Sequence, residues 1–336
     1  MPSSLLMPAP MPLDDAVTRR AFVAGVAAAG LVSCSGEPRI GSGPALAAGF
    51  PRTVEHPAGR TEIPAPPTRV VTATDYDDLD AVLAVGLAPV AFGFSPWLVA
   101  DLTPWASGAA GSTRLTGQVA EVSLEKIAAQ RPDLIVAQAD LVGGTFDELN
   151  RIAPTVTVAL RSGDWRAGTR IVGLATAREA QAATAIEQAE VAVADAAARL
   201  DDLPGRRVAV ISRNGGEVQV QSTATGRQGA GALLTDLGLV PVDPSSGAGT
   251  LAEEELSRLD DVDVLLVHDF VAETDALLAS PVFRNLRPVR EGRAARLSPA
   301  ATRASFLLSA LSAGYVASEF AAAITAASRA EASLAG

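Results

Sequence analysis

The chain is poorest in the residues that most often carry chemistry. It holds one cysteine, Cys34, and two histidines, His56 and His268. A disulfide within the chain is therefore excluded, and a zinc centre with several His or Cys ligands cannot be assembled. Lysine occurs once, at Lys126, and the formal net charge is −11, so a nucleic-acid surface, which needs a basic face, is not expected. Aromatics make up 4% of the residues, which leaves any ring in a cleft with a large share of ligand contact. Catalytic signatures are missing as well. There is no G-x-S-x-G elbow and no Walker sequence. The acids from Asp75 to Asp80 place Asp80 and Gly86 where a calcium loop wants Gly and Glu; the N-terminal end of a helix explains them better. Gly229-Ala230-Gly231 has Leu234 where a dinucleotide fingerprint wants its third glycine. His268, ending an apolar strand, reads as a packed or hydrogen-bonded residue and not as a base. An enzyme has nothing to stand on beyond an α/β rhythm, and fold alone does not give function.

What is present begins with an address. Arg19-Arg20 precedes the apolar run Phe22 to Val32, 11 residues, too short for the ~20 that span a bilayer. It reads as the core of a twin-arginine export signal. The run ends in Leu31-Val32-Ser33-Cys34, the pattern of a bacterial lipobox, which makes Cys34 the expected site of lipidation. Met7 and Met11 are alternative starts. Residues 1–34 are thus a signal peptide, and residues 35–52, rich in Gly, Pro, Ser and Ala, suit a flexible tether.

Two αβ rhythms follow. In the first, residues 53–168, strands at Thr53–His56 and Arg60–Ile63 flank a hairpin turn. Further strands at Arg69–Ala73, Pro89–Gly93, Leu134–Ala137 and Val156–Leu160 alternate with helices. In the second, residues 205–330, strands at Val208–Ile211, Val218–Gln221, Val262–His268 and Ala295–Leu297 alternate with helices, and a terminal helix runs from Ser305 to Arg329. One unit recurs: Leu124-Glu125…Asp133-Leu134-Ile135-Val136 corresponds to Glu255-Leu256…Asp263-Val264-Leu265-Leu266. Such alternation predicts parallel sheets with ligands at the carboxyl edge. Between the rhythms, in a connecting region at 169–204, Thr176-Ala177-Arg178-Glu179 has capping-box spacing. The apolar stripe Ala182, Ile186, Ala189, Val193, Ala196 and Leu200 follows at helical period. A run from Thr176 to Leu200 would span roughly 36 Å, a beam between two lobes.

The order Val54…Gly59…Ile63-Pro64…Arg69-Val70-Val71, then Leu83-Ala84-Val85-Gly86-Leu87-Ala88-Pro89-Val90, then Ser123-Leu124-Glu125-Lys126-Ile127…Arg131-Pro132-Asp133-Leu134-Ile135-Val136, resembles the iron-siderophore substrate-binding proteins of ABC importers, the group that includes vitamin B12 and haem binders. The resemblance implies two Rossmann-like α/β lobes with parallel-rich sheets, linked by a single long helix, the class III periplasmic binding protein arrangement. It further implies a non-enzymatic, monomeric lipoprotein, exported and anchored at the outer face of the cytoplasmic membrane, or periplasmic. That protein would bind a ferric chelate in the inter-lobe cleft, carry no resident cofactor, and serve an ABC permease with its ATPase. Surface glutamates on each lobe would dock the permease, by position Glu125 and Glu255. A corrinoid, haem or another metal chelate is the alternative ligand, and an exported enzyme or sensor ectodomain the alternative class. Cleft residues follow from chemistry: guanidinium forks pair with chelate oxygens and rings cover apolar surface. Loops after the strands offer Trp97, Tyr76, Arg213, Arg227, Gln138, Trp165, Phe270 and Arg303.

Overall fold

The computed structural model describes residues 49–74, 77–94, 103–116, 122–159, 164–200, 203, 205–221, 228–270, 272–306 and 308–334. The signal peptide, Cys34 and most of the tether lie outside these, as do Tyr76, Trp97 and Arg227. The described residues belong to one compact unit, Leu46–Gly336.

The chain enters through a hairpin of β1 (Arg52–His56) and β2 (Gly59–Ile63), in register from Arg52↔Ile63 to His56↔Gly59. Alternation turns Val54, His56, Thr61 and Ile63 inward. The first sheet holds β3 (Val70–Thr72), β4 (Ala91–Phe94), β5 (Thr113–Thr116), β6 (Leu134–Gln138) and β7 (Thr155–Val158) in the order β5-β4-β3-β6-β7. All its pairings are parallel. Parallel strands are covered on both faces and so read as unbroken apolar runs; every residue of β6 is buried.

The second sheet is built from β8 (Arg207–Asn214), β9 (Glu217–Val220), β10 (Val240–Pro241), β11 (Thr250–Leu251), β12 (Val264–Val267) and β13 (Ala294–Arg296). Its order is β11-β9-β8-β12-β13, with β10 beside the first residues of β8. β8 and β9 form an antiparallel hairpin through Gly215-Gly216, with φ of 62° and 86°. Two successive positive φ values suit a two-residue hairpin turn and favour glycine at both places. The recurring unit has a mechanical meaning here. Asp133 accepts from the amides of Thr68 (2.8 Å) and Arg69 (2.7 Å), just before β3. Asp263 accepts from the amide of Arg207 (2.8 Å), at the start of β8. In each lobe the acidic turn ahead of one central strand pins the start of its neighbour.

The capping box is not formed. Thr176 ends the helix Ala167–Thr176 and donates its hydroxyl back to the Val172 carbonyl (2.7 Å). Ala177 turns left-handed at φ 55°, and the connecting helix starts afresh at Glu179 and runs unbroken to Ala198. Its 20 residues span roughly 30 Å. The six-residue stripe is buried throughout. Ala182 joins the core of the first lobe, while Ile186, Ala189, Val193, Ala196 and Leu200 join that of the second. The helix is therefore seated mainly in the second lobe and reaches the first with its opening turns. The terminal helix also begins later than expected, at Ala313, after a separate helix Pro299–Phe306. It crosses the connecting helix closely, since a Cβ on Gly314 would stand 2.7 Å from the Ala192 Cβ.

Candidate functional site

Because the core strands of each sheet run parallel, their carboxyl ends share one edge. In the first lobe that edge carries Thr72, Thr74 and Gln138. Thr74 donates its amide (2.9 Å) and hydroxyl (2.6 Å) to Asp78 and accepts the Gln138 amide (3.2 Å). The Gln138 side chain is fully buried, and neither its Oε1 nor its Nε2 has a partner. A buried amide without partners costs about 1–3 kcal/mol, so this edge keeps a polar group that the described residues leave unpaired.

In the second lobe the same edge carries Ser212 and Arg213, which lie inside the last residues of β8 and not in a loop after it, and His268 and Phe270 after β12. His268 Nε2 lies 2.8 Å from the Ser305 hydroxyl, whose own proton goes to the Thr302 carbonyl (2.8 Å). The hydroxyl must then accept, which places the ring proton on Nε2 and leaves Nδ1 a bare acceptor. Nδ1 has no partner. Burial pushes the imidazole pKa down to about 3, so the ring is neutral. Phe306 stacks between His268 (4.7 Å) and Phe270 (5.6 Å), and Phe270 is exposed at the end of this aromatic row. Arg213 stands 3.8 Å from Glu273. The Nε atoms of Arg213 and Arg303 and the hydroxyl of Ser212 are buried without a hydrogen-bond partner. Gln138, Arg213, Phe270 and Arg303 thus lie on elements that meet the two strand-end edges.

Trp165 does not belong with them. It is buried in the core with Ile186, Ala189 and Leu233, and its indole donates to Asp236 (3.2 Å). The Arg166 guanidinium covers its ring at 4.0 Å. A ring beside the connecting helix is a packing residue because the helix stripe needs a large apolar cover there.

The two expected docking glutamates differ. Glu125 is exposed in the first turn of the helix Leu124–Ala129. Glu255 is partly buried, accepts the Ala252 amide (3.1 Å) and pairs with Arg258 (2.8 Å). Glu253 accepts the Ser280 hydroxyl (2.6 Å), whereas Glu254 beside them is exposed. Among the described residues no group of three or more His, Cys, Asp or Glu could hold a metal ion, and no helix is long and apolar enough to cross a membrane.

The periplasmic binding protein family model matches residues 70–301, both sheets and the helix between them. The chain belongs to the periplasmic binding proteins. It is 24% identical over 261 residues to the probable siderophore-binding lipoprotein YfiY of Bacillus subtilis, covering 72% of this chain and 79% of that one. It is 26% identical over 231 residues to the Fe(3+) dicitrate-binding periplasmic protein FecB of Escherichia coli, covering 65% and 72%. A periplasmic solute binding protein from Mycobacterium smegmatis superposes with a TM-score of 0.70 at 28% identity, over 81% of this chain and 97% of that one. The two-lobed class III arrangement is that of this periplasmic binding protein.

Proposed function

We propose that this periplasmic binding protein captures a ferric siderophore in the cleft between its lobes and delivers it to the permease of an ABC importer, which its ATPase drives. The observation that carries the reading is the family match spanning both lobes, with relatives named for siderophore and ferric dicitrate binding. The strand-end edges support it: guanidinium, amide and aromatic groups suit a bulky, oxygen-rich chelate. Arg213, Arg303, Gln138 and Phe270 are the proposed contacts, joined by Tyr76, Trp97 and Arg227 from outside the described residues. Neither histidine suits haem as a ligand, since His56 is held by Thr157 (3.0 Å) and Thr61 (2.9 Å) and His268 is fully buried; of the ligands haem takes, Tyr76 and Tyr315 remain. The protein works as a monomer, held at the outer face of the membrane by lipid on Cys34, and catalyses nothing.

Glu125 and a carboxylate of the Glu253–Glu255 run dock the permease. In the second lobe Glu254 suits this role better than Glu255, because Glu255 already serves a helix start and an arginine. Tryptophan fluorescence titrated with ferric dicitrate, a ferric hydroxamate, a ferric catecholate, cyanocobalamin and haem tests the reading. Saturable quenching by a ferric chelate is expected; quenching by cyanocobalamin or haem alone would overturn it. With the ligand in hand, Glu125→Arg with Glu254→Arg should abolish uptake without altering affinity, and Glu125→Arg with Glu255→Arg should retain more of it.

A further inference from the structure

Asp80 is a carboxylate the ligand-binding reading does not use. It sits in the helix Asp77–Ala84 that leaves the carboxyl end of β3, and it is almost completely buried. Its Oδ2 accepts two hydrogen bonds, from the Trp105 indole (3.1 Å) and from the Ser309 hydroxyl (2.6 Å). Ser309 belongs to the second lobe, 229 residues along the chain. The Trp105 ring, packed against the cores of both lobes, lies 5.4 Å from the ring of Tyr315 on the terminal helix. One carboxyl and one aromatic pair thus tie the first lobe to the second.

We propose that Asp80 is a positioning residue whose protonation sets how firmly the lobes are tied at this point, and hence couples the geometry of the cleft to pH. The second half of this statement rests on the cleft being the ligand site; the first half does not.

The neutral acid satisfies the tie: one oxygen accepts from Trp105 and Ser309, and the proton sits on the other. The anion, an acceptor with room for about four hydrogen bonds, gets two, and both donors are neutral. Among the described residues no cation compensates. On the same helix Asp78 is bound to Thr74. On the helix Ala167–Thr176 Arg170 is paired with Asp164 (2.9 Å). At the head of the connecting helix Arg178 binds the carbonyls of Val85 (3.2 Å) and Gly86 (3.4 Å). Along it Glu179 pairs with Arg52 and Glu190 with Arg166, while Glu187 and Asp195 are exposed. On the second lobe Tyr315 bonds Ser298, whose hydroxyl donates to Glu319 (3.0 Å); Arg303 is the nearby cation on the preceding helix. β3, β6, β7 and the turn Pro104–Ala109 carry no charged residue. Burial therefore raises the Asp80 pKa to about 6. Ionisation thus favours states in which Asp80 is hydrated over the one in which it is tied to Trp105 and Ser309.

Hydrogen exchange on the ligand-free protein tests this. The amides of Leu311 and Ser312 donate to Ser309 Oγ, each at 3.2 Å, so they report the tie directly. Corrected for intrinsic exchange, their protection should fall as pH rises from about 4 to 6 and level off above about 6. The pKa difference limits that fall to about 100-fold. Asp80→Asn keeps an acceptor for both donors and removes the titration, so its protection should stay level. Trp105→Phe, which removes one donor from the anion, should move the pH at which the fall levels off upward. Level protection in the unaltered protein, an equal fall in Asp80→Asn, or an unmoved levelling-off in Trp105→Phe would each overturn the proposal. Since no ligand is added, a failed siderophore reading leaves this experiment unaffected.

Discussion

Substituting His268 gives a stability difference whose pH dependence is set by one buried ring. The ring is neutral in the folded protein, with a pKa near 3 against 6.5 in the unfolded chain. A lowered histidine pKa means that below 6.5 the unfolded chain takes up a proton that the folded one refuses. Stability from this site is thus complete above pH 6.5 and lost as pH falls, by about 1.4 kcal/mol per unit and up to about 5 kcal/mol in all. Asp80 runs the other way. Its raised pKa, about 6 against 3.8, makes its contribution complete below 3.8 and lost as pH rises through 6. The two slopes oppose each other between pH 4 and 6, so the unaltered protein alone would show little. His268→Gln separates them. It retains a donor toward Ser305 and loses the stack on Phe306, so at pH 7.5 it should be less stable by about 1–3 kcal/mol. Asp80 is present in both proteins and cancels in the difference. Urea unfolding from pH 7.5 to 4.5 should therefore show the gap between them narrowing below pH 6.5 by about 1.4 kcal/mol per unit, and reversing sign near pH 5. A gap that stays constant would refute the assignment of a neutral, proton-refusing ring.

The acidic turns should differ in weight. Asp133 accepts both hydrogens of Thr68 and the Arg69 amide, while Asp263 accepts the Arg207 amide. Asp133→Ala should cost about 2–3 kcal/mol and Asp263→Ala about 1, read by thermal unfolding; the reverse order would refute the pinning role. At the helix crossing, Gly314→Ala should cost roughly 1–3 kcal/mol by overpacking. Adding Ala192→Gly should recover most of it, and strictly additive losses would show that the helices do not meet as closely as they do here.

The parts of this fold that were legible in the sequence are those fixed by burial on a short repeat. Runs such as Leu134–Ala137 and Val264–Val267 announce parallel strands because both faces are covered. The stripe from Ala182 to Leu200 announces its helix because every third or fourth residue is buried. What failed depended on single backbone choices. Thr176 and Glu179 have capping-box spacing, but Ala177 adopts a left-handed conformation and makes Thr176 the end of one helix instead of the start of another. The short strands β5, β10 and β11 and the 3-10 turn Pro104–Ala109 carry too few residues for any periodicity. Strand-end position places Gln138, Arg213 and Phe270 at the two edges, and it equally selected Trp165, which the second-lobe core buries. Ser212 and Gln221, buried with unpaired side-chain atoms, carry no local signal. Asp80 was legible only as an acid near a helix start; its partner Ser309 is brought to it by the fold alone.

These tertiary contacts bear on how the cleft can move. The connecting helix has no break at which to bend, and its stripe is committed to the second core except at Ala182. Rotation between lobes must therefore occur ahead of it, at Ala177 and Arg178, where the helix Ala167–Thr176 hands over. That joint is braced. Arg178 grips the carbonyls of Val85 and Gly86, and Arg52 holds both Glu179 (2.7 Å) and the Leu174 carbonyl (2.5 Å). Trp165 with Asp236, and Asp80 with Ser309, then tie first-lobe segments to the second lobe at two further places. A wide hinge would have to break all of these at once, whereas a small rocking motion need loosen only the weakest. The bond that titrates is the natural candidate, because its partner Trp105 touches both cores. The fold thus favours a cleft of nearly fixed width, adjusted at one edge, over one that opens and shuts.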